Sequence, residues 1–169
     1  MKKLYLVRHA KSSWDDTELS DFDRPLNDRG SIDAPQMGKR LKERKVYPDL
    51  MLSSPAVRAL ATCQEIARAL GYPHIRIKTD KRLYHADVEQ ILTVIKELNK
   101  AEGKIESVMI FGHNPGITEF ANRLLDDTLD NIPTCGVVGG ELNIQSWREI
   151  DWGCGESEFF DFPKMKKGD

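Results

Sequence analysis

Three short polar clusters each stand directly behind an apolar run. Arg8-His9-Ala10 follows Leu4 to Val7, Ser53-Ser54-Pro55-Ala56-Val57-Arg58-Ala59 follows Leu50 to Leu52, and Gly112-His113-Asn114-Pro115-Gly116 follows Val108 to Phe111. Their residue types suit one chemistry. A phosphoryl group spreads its charge over equatorial oxygens, which guanidinium forks bind bidentately as permanent cations. Arg8 and Arg58 are the candidate clamp. A neutral imidazole is a competent nucleophile toward phosphorus, and nearby arginines disfavour the imidazolium by like-charge repulsion. His9 is placed for that role. A second imidazole, His113, would hydrogen-bond a phosphoryl oxygen and stabilise the charge that develops in transfer. Pro55 and Pro115 would set two helix N-termini beside the same point, where the dipole also favours an anion. Each residue taken alone has a plainer reading: an edge salt bridge for Arg8 and His9, a solvated helix face for Arg58, a helix cap for His113. Their joint placement at three strand ends is what argues for a site.

The elements that must position these groups follow from hydrophobic periodicity. Leu4 to Val7, Leu50 to Leu52, Ile75 to Ile77 and Val108 to Phe111 are short, nearly continuous apolar runs, which suit strands buried on both faces of a parallel sheet. Between them lie amphipathic stretches with core-facing helical spacing. Asn27 or Asp28 would cap a first helix reaching about Lys45, with Ile32, Met37 and Leu41 inward. Pro55 would open a second, carrying Leu60, Cys63, Ala67 and Leu70 and stopped at Gly71. Val88, Ile91, Leu92, Ile95 and Leu98 mark a third, and Pro115 would start a fourth containing Phe120, Ala121, Leu124 and Leu125. Two later strand candidates, Val137 to Ile144 and Glu158 to Phe162, have no order assigned by pattern. The expectation is one three-layer α/β/α domain over residues 1–163, with a mostly parallel sheet, helices on both faces and a polar, mobile tail over 164–169. In such sheets ligands bind beyond the carboxyl ends of the strands, so the three clusters should meet.

Composition limits the alternatives. The 169 residues suffice for one buried core, and a net charge of −2, with 25 Lys and Arg against 27 Asp and Glu, gives no basic excess for nucleic acid. Three cysteines without a CxxC pair suggest reduced thiols rather than a disulfide framework or zinc site. The apolar run behind Met1-Lys2-Lys3 is too short for a signal segment or membrane span. A cytoplasmic protein without metal or cofactor is expected. His74 and His85 read as structural or exposed, Trp147, Trp152, Phe159 and Phe160 as packing residues, and Lys78 to Arg82 as a solvated turn.

The ordered set of motifs resembles the histidine phosphatase superfamily, also known as the phosphoglycerate mutase-like family. The resemblance is carried by Leu6-Val7-Arg8-His9-Ala10, by Ser53 to Ala59 with Thr62, and by Gly112-His113-Asn114-Pro115. The phosphohistidine phosphatase branch typified by SixA is closer still. It shares Lys11-Ser12, Asp23-Arg24-Pro25-Leu26-Asn27 with Arg29-Gly30, Gly116 after His113-Asn114-Pro115, and Pro133-Thr134. The resemblance implies that His9 is the phosphorylated nucleophile, that Arg8, Arg58 and His113 form the phosphate pocket, and that Arg24, Ser54 and Asn114 contact substrate.

One departure bears on substrate. Family members acting on phosphate esters usually place a proton-donating glutamate in a Leu-x-Glu segment, whereas this chain reads Leu83-Tyr84-His85. That leaves the acid between Asp87 and solvent. Expelling an alkoxide benefits about 10²–10⁴-fold from a positioned acid, while phosphohistidine leaves as a neutral imidazole once protonated. The expected partner is therefore a phosphorylated protein carrying phosphohistidine. A small phosphorylated metabolite, handled by an ester phosphatase or a mutase, is the alternative within enzymes. A non-catalytic phosphohistidine or phosphopeptide-binding module is the alternative outside them.

Overall fold

A computed structural model describes residues 1–100 and 104–165. Its centre is a six-stranded sheet in the order β3-β2-β4-β1-β5-β6, from strands β1 (Lys2–Arg8), β2 (Leu50–Ser53), β3 (Lys78–Thr79), β4 (Ser107–Gly112), β5 (Val137–Leu142) and β6 (Gly155–Asp161). The first four run parallel; β5 pairs antiparallel with β1, and β6 antiparallel with β5. The two strands that pattern left unordered thus form one antiparallel edge.

Strand alternation divides the core in two. Leu4, Leu6, Leu50, Leu52, Val108 and Ile110 point to one face, where they pack with helices α3 (Val88–Lys96) and α4 (Gly116–Leu125). Tyr5, Val7, Met51, Met109 and Phe111 point to the other, against α1 (Asp28–Glu43) and α2 (Val57–Leu70). Burial on both faces explains why the central runs read as continuous apolar segments.

Several details differ from expectation. The stretch expected as a third buried strand is a 3₁₀ turn over His74–Arg76, with Ile75 91% exposed, and β3 is a two-residue edge just beyond it. An outermost strand bonds on one side only, here through Leu52 with Lys78 and Ser53 with Thr79, so it needs no continuous apolar sequence. In α1, Asn27 is the cap, its side chain accepting from the Gly30 amide at 2.8 Å, and the helix ends at Glu43. Ala34, Met37 and Leu41 lie inward, but Ile32 is exposed because it falls off the stripe marked by Gly30, Asp33, Ala34, Met37, Gly38 and Leu41. Helix α2 starts at Val57, two residues after Pro55. Residues 166–169 of the expected tail lie outside the described residues. The segment before them is tied down: Arg40 donates to the carbonyls of Phe162, Pro163 and Met165 at 2.9, 3.1 and 3.2 Å.

Candidate active site

Register brings the three clusters together. Arg8 pairs with Gly112, and Ser53 pairs with Phe111, so the chain leaves β1, β4 and β2 side by side at His9, His113 and Ser54. Arg58 occupies the second position of α2, where the first turn faces the same point. Thr62, one turn further, accepts from the Ala10 amide at 2.9 Å and donates to the Arg58 carbonyl at 2.8 Å, locking the loop after β1 onto α2. Gly30 makes the opposite wall fit: a Cβ there would lie 2.2 Å from the Lys11 carbonyl oxygen, so only glycine lets α1 approach this closely.

The result is an open pocket of about 390 Å³ whose lining includes His9, the cations Arg8, Lys11, Arg24 and Arg58, and Thr134. His9 is buried, and its Nδ1 lies 2.7 Å from the Ala10 carbonyl oxygen. A carbonyl only accepts, so the proton sits on Nδ1 and the lone pair on Nε2. Arg58 Nε donates toward that Nε2 at 3.4 Å. Burial is the largest cause that lowers the His9 pKa to about 4, with Arg58, Arg8 and Arg24 adding repulsion against an opposing effect of the Ala10 bond. His9 is therefore neutral at physiological pH, and the arginine repulsion expected from sequence is real but secondary to desolvation.

His113 lies beside it, the ring centroids 5.2 Å apart. Its Nε2 is 2.8 Å from Ser54 Oγ. Burial first, then His9, Arg58 and His85, lowers its pKa to about 3, with Asp21 opposing. If Ser54 donates to Nε2, the proton of a neutral ring sits on Nδ1. Among the described residues, His113 Nδ1 and Arg8 Nε are buried side-chain atoms with no hydrogen-bond partner. Buried donors are rarely left so unless a ligand or water completes them.

Arg24 and Arg58 are gathered by a residue the sequence reading passed over. Asp21 sits on the 3₁₀ turn Asp21–Asp23. Its Oδ1 accepts from Arg24 Nη1 at 2.8 Å; its Oδ2 accepts from Arg58 Nη2 at 2.9 Å and Tyr84 Oη at 2.6 Å, and lies 3.0 Å from His85 Nε2. Its backbone carbonyl accepts from Arg58 Nη1 at 2.6 Å. Burial pushes the Asp21 pKa up, but the bonds from Tyr84, Arg58 and His85 outweigh it and hold the carboxyl well below its usual range. Arg24 further donates to the Ser13 carbonyl at 3.0 Å and to Ser12 Oγ, and its guanidinium lies over the Trp14 ring at 3.3 Å.

The structure thus brings together His9, Arg8, Arg24, Arg58, His113 and Ser54. Asn114 commits its amide to protein partners: it donates to Asn131 Oδ1 at 2.7 Å and to the Ile132 carbonyl at 3.0 Å, which also accepts from Arg8 Nη1 at 3.1 Å, and it accepts from Thr118 Oγ1 at 2.6 Å. Asp87 caps α3 in a reciprocal capping box with Gln90. His74 is exposed, as expected, with Nε2 2.9 Å from the Gln64 carbonyl. His85 is exposed too, yet it faces the site, its ring centroid 5.4 Å from that of His113.

Comparison with known proteins bears on the family and the fold. Residues 4–91 match the histidine phosphatase superfamily (branch 1). The chain is 30% identical over 155 residues to an uncharacterized chloroplastic protein of Arabidopsis thaliana, covering 88% of this chain and 70% of that one. It is 30% identical over 129 residues to a 2,3-bisphosphoglycerate-dependent phosphoglycerate mutase of Brucella ovis, covering 75% of this chain and 63% of that one. It thus spans less than two thirds of the mutase. Among solved structures, the protein histidine phosphatase SixA complexed with tungstate superimposes with a TM-score of 0.79 at 24% identity, over 95% of this chain and 97% of that one. A candidate SixA phosphohistidine phosphatase from Agrobacterium tumefaciens gives 0.73 at 28%, over 96% and 98%. The match over residues 4–91, more than half of the chain, places the chain in branch 1 of the histidine phosphatase superfamily.

Proposed function

We propose that this protein is a metal-independent phosphatase that removes phosphate from phosphohistidine on a protein partner, through a phosphoryl group carried on His9. The observation that carries the reading is the fixed tautomer of His9, which leaves the lone pair on Nε2, approached by Arg58 Nε at the long distance of 3.4 Å, in a pocket lined by arginines. In the first step that lone pair attacks phosphorus while the substrate imidazole departs. Arg8 and Arg58 bind the equatorial oxygens, and a proton on His113 Nδ1 would complete the shell where negative charge grows. Water then attacks phospho-His9, and the P–N electron pair returns to Nε2.

The choice of phosphoramidate over ester rests on the acids available. Asp21, the carboxyl bonded to the phosphate-binding arginines, stays ionised and has no proton to give. Asp87 is committed to capping α3. An alkoxide would therefore leave without a carboxylic acid, whereas an imidazole needs only one weakly acidic proton. The open pocket also suits a side chain presented on another protein's surface. Among the described residues no group of three or more His, Cys, Asp or Glu side chains is placed to hold a metal ion. No described helix is long and apolar enough to cross a membrane.

The test compares the purified chain on a histidine-phosphorylated protein and on an aliphatic phosphate ester, with and without EDTA. The expected result is much faster hydrolysis of phosphohistidine, unchanged by chelation. Equal rates on both substrates would favour the metabolite phosphatase, and full loss in EDTA restored by magnesium or zinc would remove the mechanism.

A further inference from the structure

His85 has features that a surface histidine does not need. It adopts a left-handed backbone with φ of 51°, uncommon for a residue with a Cβ and concentrated at functional sites. The surrounding chain enforces that conformation. Asp87 begins α3 with its capping box just downstream. The Ala86 carbonyl is pressed onto the start of α4, where a Cβ on Gly116 would lie 2.1 Å from it, so α4 and the loop fit only because residue 116 is glycine. The ring packs on Tyr84, centroids 4.1 Å apart, and faces His113.

Its hydrogen bonding is that of an oriented acid–base group. Nε2 lies 3.0 Å from Asp21 Oδ2. Asp21 is ionised and can only accept, so Nε2 carries a proton and Nδ1 is the nitrogen left to exchange one. The side chain is 55% exposed, which keeps that exchange open to water. The same Asp21 oxygen accepts from Arg58 Nη2, so a single carboxylate aligns the phosphate clamp and this imidazole together. A carboxylate that fixes an imidazole's tautomer and orientation is how a histidine is prepared for proton transfer.

We infer that His85, oriented by Asp21, is the proton donor and acceptor of the reaction. This rests on the reading of His9 as nucleophile. As His9 Nε2 forms its bond to phosphorus, the bond to the departing nitrogen breaks, and that nitrogen keeps the electron pair and takes the proton from Nδ1 of His85 in its imidazolium form, leaving His85 neutral with its Nε2 proton still bonded to Asp21. Water then attacks phospho-His9 and gives a proton to Nδ1, the P–N bond breaks toward His9 Nε2, and phosphate leaves. His85 ends protonated as it began, so the cycle balances with one water consumed. Asp21 is a positioning residue in this scheme, because it acts through Arg58 and His85.

The test uses His85→Gly, since glycine accepts the left-handed backbone at no steric cost and the exposed position leaves room for added imidazole. Formation and decay of the phosphoenzyme are followed separately by rapid quench, with phosphohistidine, phenyl phosphate and dinitrophenyl phosphate as phosphoryl donors. Phosphoenzyme formation from phosphohistidine and phenyl phosphate should slow by about 10²-fold or more. Formation from dinitrophenyl phosphate, whose leaving group needs no proton, should stay close to the unsubstituted rate. Decay should slow, and imidazole in the buffer should restore every slowed step. His85→Asn, which also tolerates the left-handed backbone and keeps an N–H donor, should behave like His85→Gly without rescue. An equal loss for all three donors, no rescue of His85→Gly, or full activity in His85→Asn would overturn the assignment. Absence of any phosphoryl group on His9 in the unsubstituted protein is a separate result, and it would overturn the underlying mechanism instead.

Discussion

The floor of the site and its rim are built on different principles. The floor, made by His9, His113 and Arg58 where β1, β4 and α2 converge, is buried. Desolvation there strips both imidazoles of their charge, lowering them to about 4 and about 3. The rim, made by the Asp21–Asp23 turn and the Tyr84-His85 loop, is half-exposed and ionic: Asp21 is held ionised by hydrogen bonds that outweigh its burial. A nucleophile needs a lone pair and hence dry surroundings, whereas a proton carrier needs contact with water. In the proposed mechanism both needs are met within one site, with one histidine at a strand end and the other on a loop, joined through Arg58 and Asp21.

Floor and rim meet at Arg58, which bonds Asp21 on one side and approaches His9 on the other. Arg58→Ala should keep the fold yet reduce turnover by about 10²–10³-fold, the usual cost of removing a donor aimed at developing charge. Arg58→Lys should recover little, because an ammonium cannot bond Asp21 and a phosphoryl oxygen through a planar fork. Steady-state kinetics on both variants checks this, and near-complete rescue by lysine would show that the fork is not used.

A smaller effect separates floor from rim by pH. With dinitrophenyl phosphate, phosphoenzyme formation should fall only as His9 takes up a proton near pH 4. A fall near the ordinary imidazole range of about 6.5 would place the nucleophile in a wetter site than the floor provides. Stability carries the same sign. Between about 6.5 and about 4 the unfolded chain binds protons that folded His9 and His113 refuse, so melting temperature should fall as pH is lowered through that window.

The smallest effect is expected at Asp87. As a helix cap outside the chemistry, Asp87→Asn should leave turnover on phosphohistidine unchanged and cost less than about 1 kcal/mol of stability, since asparagine caps nearly as well. Loss of activity would return Asp87 to the candidate acids.

The floor was legible in the sequence and the rim was not, for a physical reason. Arg8, His9, Arg58 and His113 stand next to apolar runs or helical stripes, and those periodicities reveal where strands end and helices begin. Asp21 and His85 lie on loops without period, and their contact joins positions 64 residues apart. The nearest signals were the Asp23-Arg24-Pro25 motif beside Asp21 and the segment Leu83-Tyr84-His85, read only for its missing glutamate. For Asn114, adjacency to His113 says nothing about where the next side chain turns: it donates to the Ile132 carbonyl, which also accepts from Arg8 Nη1. The edge strand β3 escaped because a strand paired on one side carries no buried pattern.

The central claim is that His9 carries the phosphoryl group. Brief exposure to a phosphoryl donor followed by quenching into base, digestion and mass spectrometry should find an acid-labile, base-stable phosphoryl group on the peptide containing Arg8-His9-Ala10. His9→Ala should abolish both adduct and turnover, while His113→Ala should slow the adduct without moving it. A phosphoryl group on a serine, or on His113 or His85, or sustained turnover by His9→Ala, would contradict the account.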